Sequence, residues 1–475
     1  MPNRLFSKSD FLEYEDCAKA KWLKIHKPDV VKWPAPSAFD RMLMKDGYAV
    51  EAVVKELVAS WPDREACEFQ KTYISPDNLL ARTDLVRQHE DGLIDIFEIK
   101  GSTSLKSSTG HDHVNDAAFQ TLAVERAGQA VKSINIIHVN REFVRNGEID
   151  PEAFLVIVNI TNEVRTRLLA VTEEVDEALI FLNESQIDES SCSCLYQGSR
   201  PNQCPSFNYF NPDVPDRSIY LLPRIAKAKL LAFVDEGRFS LNDINVSEVS
   251  KLQKPVLLAA QQDAPVVDSK KISKFLAGLN WPLHFYDYET FASAIPMADG
   301  LKPHLPMPVQ YSLHMFSTEN ELTHFEHLSD RPGLQLELIE QMEHDFGKEG
   351  SVLCWNKSFE MSCNKRMAEL FPEKSDFLSN LNDRTVDLMD VFKEDYVDVR
   401  FQGSVSIKKV LPVICPHLHY DQGAVHDGAG AMEAWLSMVE NRDDDEKVKL
   451  RQQLLEYCKL DTLAMVEIFR FLRAL

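Results

Sequence analysis

Asp461 stands where an apolar residue is expected. Leu454, Tyr457, Asp461, Met465 and Ile468 recur at helical spacing in LLEYCKLDTLAMVEIFRFL, a stretch with no Gly or Pro to interrupt a helix. A buried carboxylate without a partner protonates or takes a cation, so Asp461 is a candidate cation ligand. In LHFYDYETF, strand alternation sets Phe285, Asp287 and Glu289 on one face. The neighbouring Leu283, Tyr286, Tyr288 and Phe291 argue against an exposed strand, and two carboxylates so placed repel unless a cation lies between them. Glu360, in the first turn of a helix predicted after GSVLCW, reads alone as a carboxylate favoured by the helix dipole, with Asn356 near the cap.

A second group lies far upstream. LLARTDLVRQHEDGLIDIFEIK holds a hairpin signal, Asp-Gly between two apolar runs. With a loop at Glu90–Gly92, His89 pairs with Leu93, and counting outward sets Asp84 opposite Glu98. Directly opposed residues have Cβ atoms about 4.5–5.5 Å apart, where like charges destabilise a sheet. Lys100 points to the same face as Glu98. Two acids and a lysine converging in apolar surroundings form a metal-plus-phosphate arrangement.

The elements that must position these groups follow from the wider pattern. The length of 475 residues suits two or three domains, and 44% hydrophobic with 27% charged residues is ordinary globular composition. A run of about 18 apolar residues is absent, so no membrane span is expected, and the N-terminal MPNRLFSKSDFLEYED has no secretory core. The expected compartment is the cytoplasm. Nine cysteines, an odd number, argue against a disulfide framework. The net charge of −22 excludes binding of nucleic acid by bulk electrostatics, so any such contact must be local or bridged by metal ions. The Pro- and Asn-rich GSRPNQCPSFNYFNPDVPDRS ends an N-terminal unit. The expected organisation is α/β, with domains at 1–216 and 281–475 and a helical connector at 217–280.

The order Asp287-x-Glu289, Asn356-x-x-Phe359-Glu360 and Tyr457-x-x-x-Asp461 resembles the DnaQ-like exonucleases of the DEDDy type, over roughly residues 281–475. The intervening RTVDLMDVF and GSVSIKKVLP also resemble segments of that superfamily. The resemblance implies a fold like ribonuclease H and two-metal phosphodiester hydrolysis. Asp287, Glu289, Glu360 and Asp461 would hold Mg²⁺ or Mn²⁺, and Tyr457 would orient the attacking water. Glu360 stands where the superfamily normally has Asp.

Asp84, Glu98 and Lys100 match the PD-(D/E)xK nuclease signature and resemble its RecB-like branch, which includes CRISPR-associated adaptation nucleases. That implies a restriction-endonuclease-like core in which the two acids bind Mg²⁺ or Mn²⁺ and Lys100 positions or activates water. Gln120 in VNDAAFQTLAVERAG corresponds to a helical Gln of the branch, with Val124 where a Tyr is frequent, and Glu51 corresponds to an upstream acid. Members often hold an iron–sulfur cluster on one cysteine before the core and three after it, here Cys17, Cys192, Cys194 and Cys204. Four thiolates suit a [4Fe–4S] cluster, while their spacing leaves a four-cysteine Zn²⁺ site open. Cys354 and Cys458, in apolar stretches, are expected in the core.

The whole resembles a bacterial fusion of two nucleases acting in repair or anti-phage defence. Its expected partner is nucleic acid, DNA favoured and RNA possible. A different reading is a nucleic-acid-binding scaffold with one lapsed nuclease site.

Overall fold

The computed structural model describes residues 4–108, 111–319, 321–333, 336–420 and 425–475, a mixed α/β chain in two compact units. Unit 1 comprises residues 1–197, 201–213 and 293–304; unit 2 comprises 198–200, 214–292 and 305–475. No helix among the described residues is long and apolar enough to cross a membrane.

Unit 1 is built on β1 (Phe6–Ser7), α1 (Lys8–Asp16), α2 (Ala18–His26), α3 (Ala38–Ala59), β2 (Cys67–Ile74), β3 (Leu79–Gln88), β4 (Ile94–Lys100), α4 (His113–Arg126), β5 (Val131–Val139), β6 (Leu155–Asn159) and α5 (Thr161–Asn183). Its main sheet runs β1-β3-β4-β5-β6, with β2 on β3. The hairpin register is the expected one: Gln88 pairs with Ile94 and Leu85 with Phe97. β2 covers β3 from Leu80 to Arg87, so β1, paired at Leu79–Leu80, and β4, paired from Leu85, share the opposite edge. Between them β3 leaves a short break that ends at Asp84. One face of the sheet shares a core with α3, through Val50, Val54, Leu85, Phe97, Ile137 and Phe154. Burying a side chain of this size contributes about 1.5–3 kcal/mol.

Unit 2 holds α6 (Lys227–Asp235), α7 (Lys254–Gln262), α8 (Ser269–Ala277), β7 (Leu283–Phe291), β8 (Met307–Thr318), β9 (Glu321–Leu328), α9 (Leu336–Phe346), β10 (Ser351–Cys354), α10 (Lys357–Leu370), α11 (Ser375–Asp383), β11 (Thr385–Asp387), α12 (Ile407–Ile414), α13 (Gly428–Glu440) and α14 (Asp444–Arg473). The sheet order is β9-β8-β7-β10-β11, antiparallel across the first three strands and parallel across the last three. Alternation along β7 divides its side chains between two cores. Leu283 and Phe285 pack with Met465 and Phe469 of α14, and Tyr286 and Tyr288 pack with α9, α10 and α11. Asp287 and Glu289 continue the face that meets α14.

Two boundaries differ from expectation. The 217–280 segment is part of unit 2, because Ile272 of α8 is buried in the Phe285–Phe469 core. Residues 293–304 belong to unit 1, although they follow β7 in the chain. Ala294 is fully buried there, and its N–H donates to Asp46 (2.9 Å). Short apolar inserts of this kind have no periodicity to announce them.

Gly350 ends the turn before β10 with φ +88°, and a Cβ built there would lie 2.0 Å from the Pro282 carbonyl oxygen. A side chain is excluded both by the left-handed backbone and by that carbonyl. Gly350→Ala is expected to cost at least about 2 kcal/mol in urea unfolding.

Candidate active sites and metal centre

In unit 1, β3, β4 and α4 bring Asp84, Glu98, Lys100 and Gln120 together. Glu98 is buried; its Oε1 accepts from Lys100 Nζ (3.0 Å) and Lys8 Nζ (2.5 Å), and its Oε2 accepts from Gln120 Nε2 (2.5 Å). The paired ladder ends at Leu85–Phe97, one step short of Asp84–Glu98. There the Asp84 Oδ2 accepts from the Ile99 N–H at 2.8 Å, so a carboxylate takes the place of a strand carbonyl. Burial and the neighbouring Glu98 push the Asp84 carboxyl up to about 7. Burial alone would raise Glu98 too, but the Lys8 and Lys100 ammoniums hold it below the usual carboxylate range. The two acids are thereby driven apart in proton affinity, a pattern typical of acid–base and metal sites.

The sequence did not announce Lys8 or Asp116. Lys8 begins α1, and Asp116 of α4 takes a second ion pair from Lys100 (2.7 Å). Val124 is fully buried. Glu51 bonds with Gln70 (3.1 Å) and Lys55 (2.7 Å).

In unit 2, a cleft of about 470 Å³ is lined by Asp287 and Glu289 of β7, Glu360 of α10, Lys408 of α12, and Tyr457 and Asp461 of α14. Glu289, Glu360 and Asp461 are buried, and Asp287 is half-buried. Burial, then Asp461, pushes Asp287 well up; burial, then Asp287 and Asp461, does the same to Glu289. Glu360 is raised by burial and by Asp287 and Glu289, and its Oε2 is buried with no hydrogen-bond partner among the described residues. Asp461 is pushed up to about 6 by burial, with Tyr420 and Lys408 acting in the opposite direction. The Tyr420 hydroxyl donates to Asp461 Oδ1 at 2.6 Å. Four mutually repelling carboxylates lining one cleft, three of them buried and one with an orphaned oxygen, fit hard divalent cations. The aspartate in the apolar stripe thus faces other acids.

Asn356 stands at the N-terminus of α10 with φ +75°, a conformation Asn tolerates, but its side chain caps nothing. Asp387 of β11 caps instead, accepting from the N–H groups of Asn356 (3.1 Å) and Lys357 (3.2 Å). Lys408 and Tyr420 were not read from the sequence. Lys408 Nζ lies over the rings of Tyr457 (5.2 Å) and Tyr420 (5.6 Å) and donates to the His426 carbonyl (2.7 Å). Cys458 is buried as expected, but its Sγ lies within 4.8 Å of carboxylate oxygens of Asp287 and Glu289.

The Sγ atoms of Cys17, Cys192, Cys194 and Cys204 all lie within 4.8 Å of one another, with Cys192 and Cys204 at 3.9 Å. Cys17 occupies the break between α1 and α2, while the other three follow α5. Trp22 Nε1 donates to the Glu184 carbonyl (2.8 Å), and Lys27 pairs with Glu189 (2.7 Å), fastening the helical hairpin to that segment. Asn211 Nδ2 (3.3 Å) and the Cys204 N–H (3.4 Å) donate to Cys192 and Cys194 sulfurs, as donors around metal thiolates do. Four converging thiols with such donors fit a soft cation or a cluster.

Residues 284–406 match a family described as a domain of unknown function (DUF2779). The matched span holds Asp287, Glu289 and Glu360 and ends before Lys408, Tyr457 and Asp461. No curated protein matches the chain.

Proposed function

We propose that the chain is a metal-dependent nuclease with two separate sites, each hydrolysing phosphodiester bonds. The observation that carries this reading is the convergence of Asp287, Glu289, Glu360 and Asp461 in one cleft. Structural carboxylates are seldom gathered and buried in this way, because each pays for lost hydration. Nor does the chain's net charge of −22 allow a bulk basic surface for nucleic acid. Recognition by ions held on a few acids removes that difficulty. The central position of β7, between antiparallel and parallel strands, supports the ribonuclease H-like reading.

In unit 2 the four acids would hold Mg²⁺ or Mn²⁺, whose chemistry when bound would be to activate water and stabilise negative charge on the leaving group. Burial pushes the Tyr457 phenol up, so it stays protonated and can orient water by donating or accepting. Tyr420 fixes the Asp461 carboxylate, and Lys408 partly offsets the negative charge. In unit 1, Asp84 and Glu98 would hold the cation. Lys100 stays protonated, because Glu98 and Asp116 outweigh the effect of burial, so its role is to position water and phosphate rather than to take a proton. DNA is the favoured substrate.

For the four cysteines we propose one tetrahedral Zn²⁺ in preference to a [4Fe–4S] cluster. Zn–S bonds of about 2.3 Å set sulfurs about 3.8 Å apart, close to the 3.9 Å between Cys192 and Cys204. A cluster attaches each thiolate to a different iron and spreads the sulfurs more widely.

The test is hydrolysis of end-labelled single- and double-stranded DNA and RNA by the full chain with Mg²⁺ or Mn²⁺. The two sets of residues lie in separate units and share no member, so the effects of their variants are expected to add. Asp84→Ala or Glu98→Ala is therefore expected to remove one activity, and Asp287→Ala the other, each by at least about 10³-fold. Retained hydrolysis in the Glu98→Ala, Asp287→Ala double variant would refute the proposal.

A further inference from the structure

The break along the edge of β3 admits a side chain that comes from outside the hairpin. β1 lies beside Leu79 and Leu80, β4 begins its pairing at Leu85, and α1 starts at the residue after β1. Its first residue, Lys8, therefore enters next to Asp84 and Glu98. The backbone there is pinned on three sides. Ser7 and Asp10 form a reciprocal capping box, the buried Lys21 ammonium holds Asp10 at 2.5 Å, and Phe11 stacks on Phe119 with ring centroids 5.3 Å apart. Phe119 directly precedes Gln120, which binds the other oxygen of Glu98. The helix is thus held in register with the site.

The two lysines on Glu98 Oε1 differ in their ties. Lys100 is shared between Glu98 (3.0 Å) and Asp116 (2.7 Å), and its side chain is 17% exposed. Lys8 meets Glu98 at 2.5 Å and is 28% exposed, so it stands nearer to the open side. An ammonium on a four-carbon stem, with three rotatable donors, can exchange one oxygen partner for another without backbone movement. The charges agree with such an exchange. Asp84, Glu98 and Asp116 exceed Lys8 and Lys100 by one negative charge, which one divalent cation and one phosphodiester together bring to neutrality. Without Lys8 the cation-loaded site is neutral, and the net positive charge that attracts an anionic substrate is lost.

We infer that Lys8 is a second phosphate-contacting residue of the unit 1 site, binding a non-bridging oxygen of the nucleic-acid backbone when a divalent cation engages Glu98. The inference rests on the nuclease reading and extends it to a residue outside the hairpin and helix that supply the other groups.

The experiment uses the full chain carrying Asp287→Ala, so that hydrolysis reports the unit 1 site. Lys8→Gln is expected to lower kcat/KM on an end-labelled oligonucleotide by about 10²-fold, and Lys8→Arg to recover most of it. Binding of the same fluorescent oligonucleotide is then followed against salt, with Ca²⁺ in place of Mg²⁺ to hold cleavage back. Losing one phosphate contact should make the slope of log K against log salt shallower by about 0.7–0.9. A side chain that only supports the fold would lower the melting temperature and leave that slope unchanged. An unchanged slope together with unchanged kcat/KM overturns the inference while the nuclease reading stands. Full activity in Glu98→Ala would sink both.

Discussion

Replacing Asp461 with asparagine is expected to cut hydrolysis at the unit 2 site by at least about 10³-fold and, with chelator present, to raise the melting temperature. Both halves follow from one fact: the carboxyl is buried among acids, and its proton affinity is raised to about 6 from an ordinary 3.8. A raised carboxyl keeps its proton longer in the folded than in the unfolded chain. The metal-free protein is then most stable below about pH 4 with respect to this group, and loses that stability as the pH rises through about 6. The difference amounts to roughly 3 kcal/mol at neutral pH. Asp461→Asn keeps the shape and removes the charge, so the variant should lack this pH dependence. Thermal melts at pH 5 and pH 8, with and without Mg²⁺, run beside the exonuclease assay, check both halves. Normal hydrolysis in the variant would end the catalytic assignment.

The second large effect concerns the four thiols. The purified chain is expected to hold one zinc per molecule and to be colourless, and Cys17→Ser to lose the metal and destabilise unit 1 by at least about 4 kcal/mol. Cys17 joins α1 to α2, and the other three cysteines lie more than 170 residues later, so an ion bound to all four would close a very long loop. Because α1 also carries Lys8, activity at the unit 1 site should fall with the metal. Elemental analysis and thermal unfolding of the two proteins provide the check. Stoichiometric iron with a brown colour would replace the single ion by a cluster.

What could be read from sequence here follows the range of the interaction. The hairpin register was legible because an Asp-Gly turn fixes it locally, and the pairing of Gln88 with Ile94 follows from that count. The Asp287–Glu289 face was legible from strand alternation, and the position of Asp461 from helical spacing. Lys8, Asp116, Lys408 and Tyr420 were not legible. Each reaches its partner from a separate element, and nothing in FSKSDF or SIKKVL distinguishes a site lysine from a surface one. Asn356 stands at the cap of α10 as expected, but the carboxylate that accepts its N–H and that of Lys357 comes from β11, over thirty positions on, and was not legible.

The crossing of residues 293–304 into unit 1 bears on how such a chain can evolve. A single break near residue 213 would not yield two complete halves, since the N-terminal piece would lack the segment whose Ala294 shares a core with Val50, Phe97 and Phe154. That segment also donates the Ala294 N–H to Asp46, and His304 Nε2 meets the Gly101 carbonyl at 2.6 Å, just beyond the strand that carries Glu98 and Lys100. Gene fission or module shuffling would therefore damage the neighbourhood of one set of acids each time it separated them from the other. Inheritance as one reading frame is the state that this threading enforces.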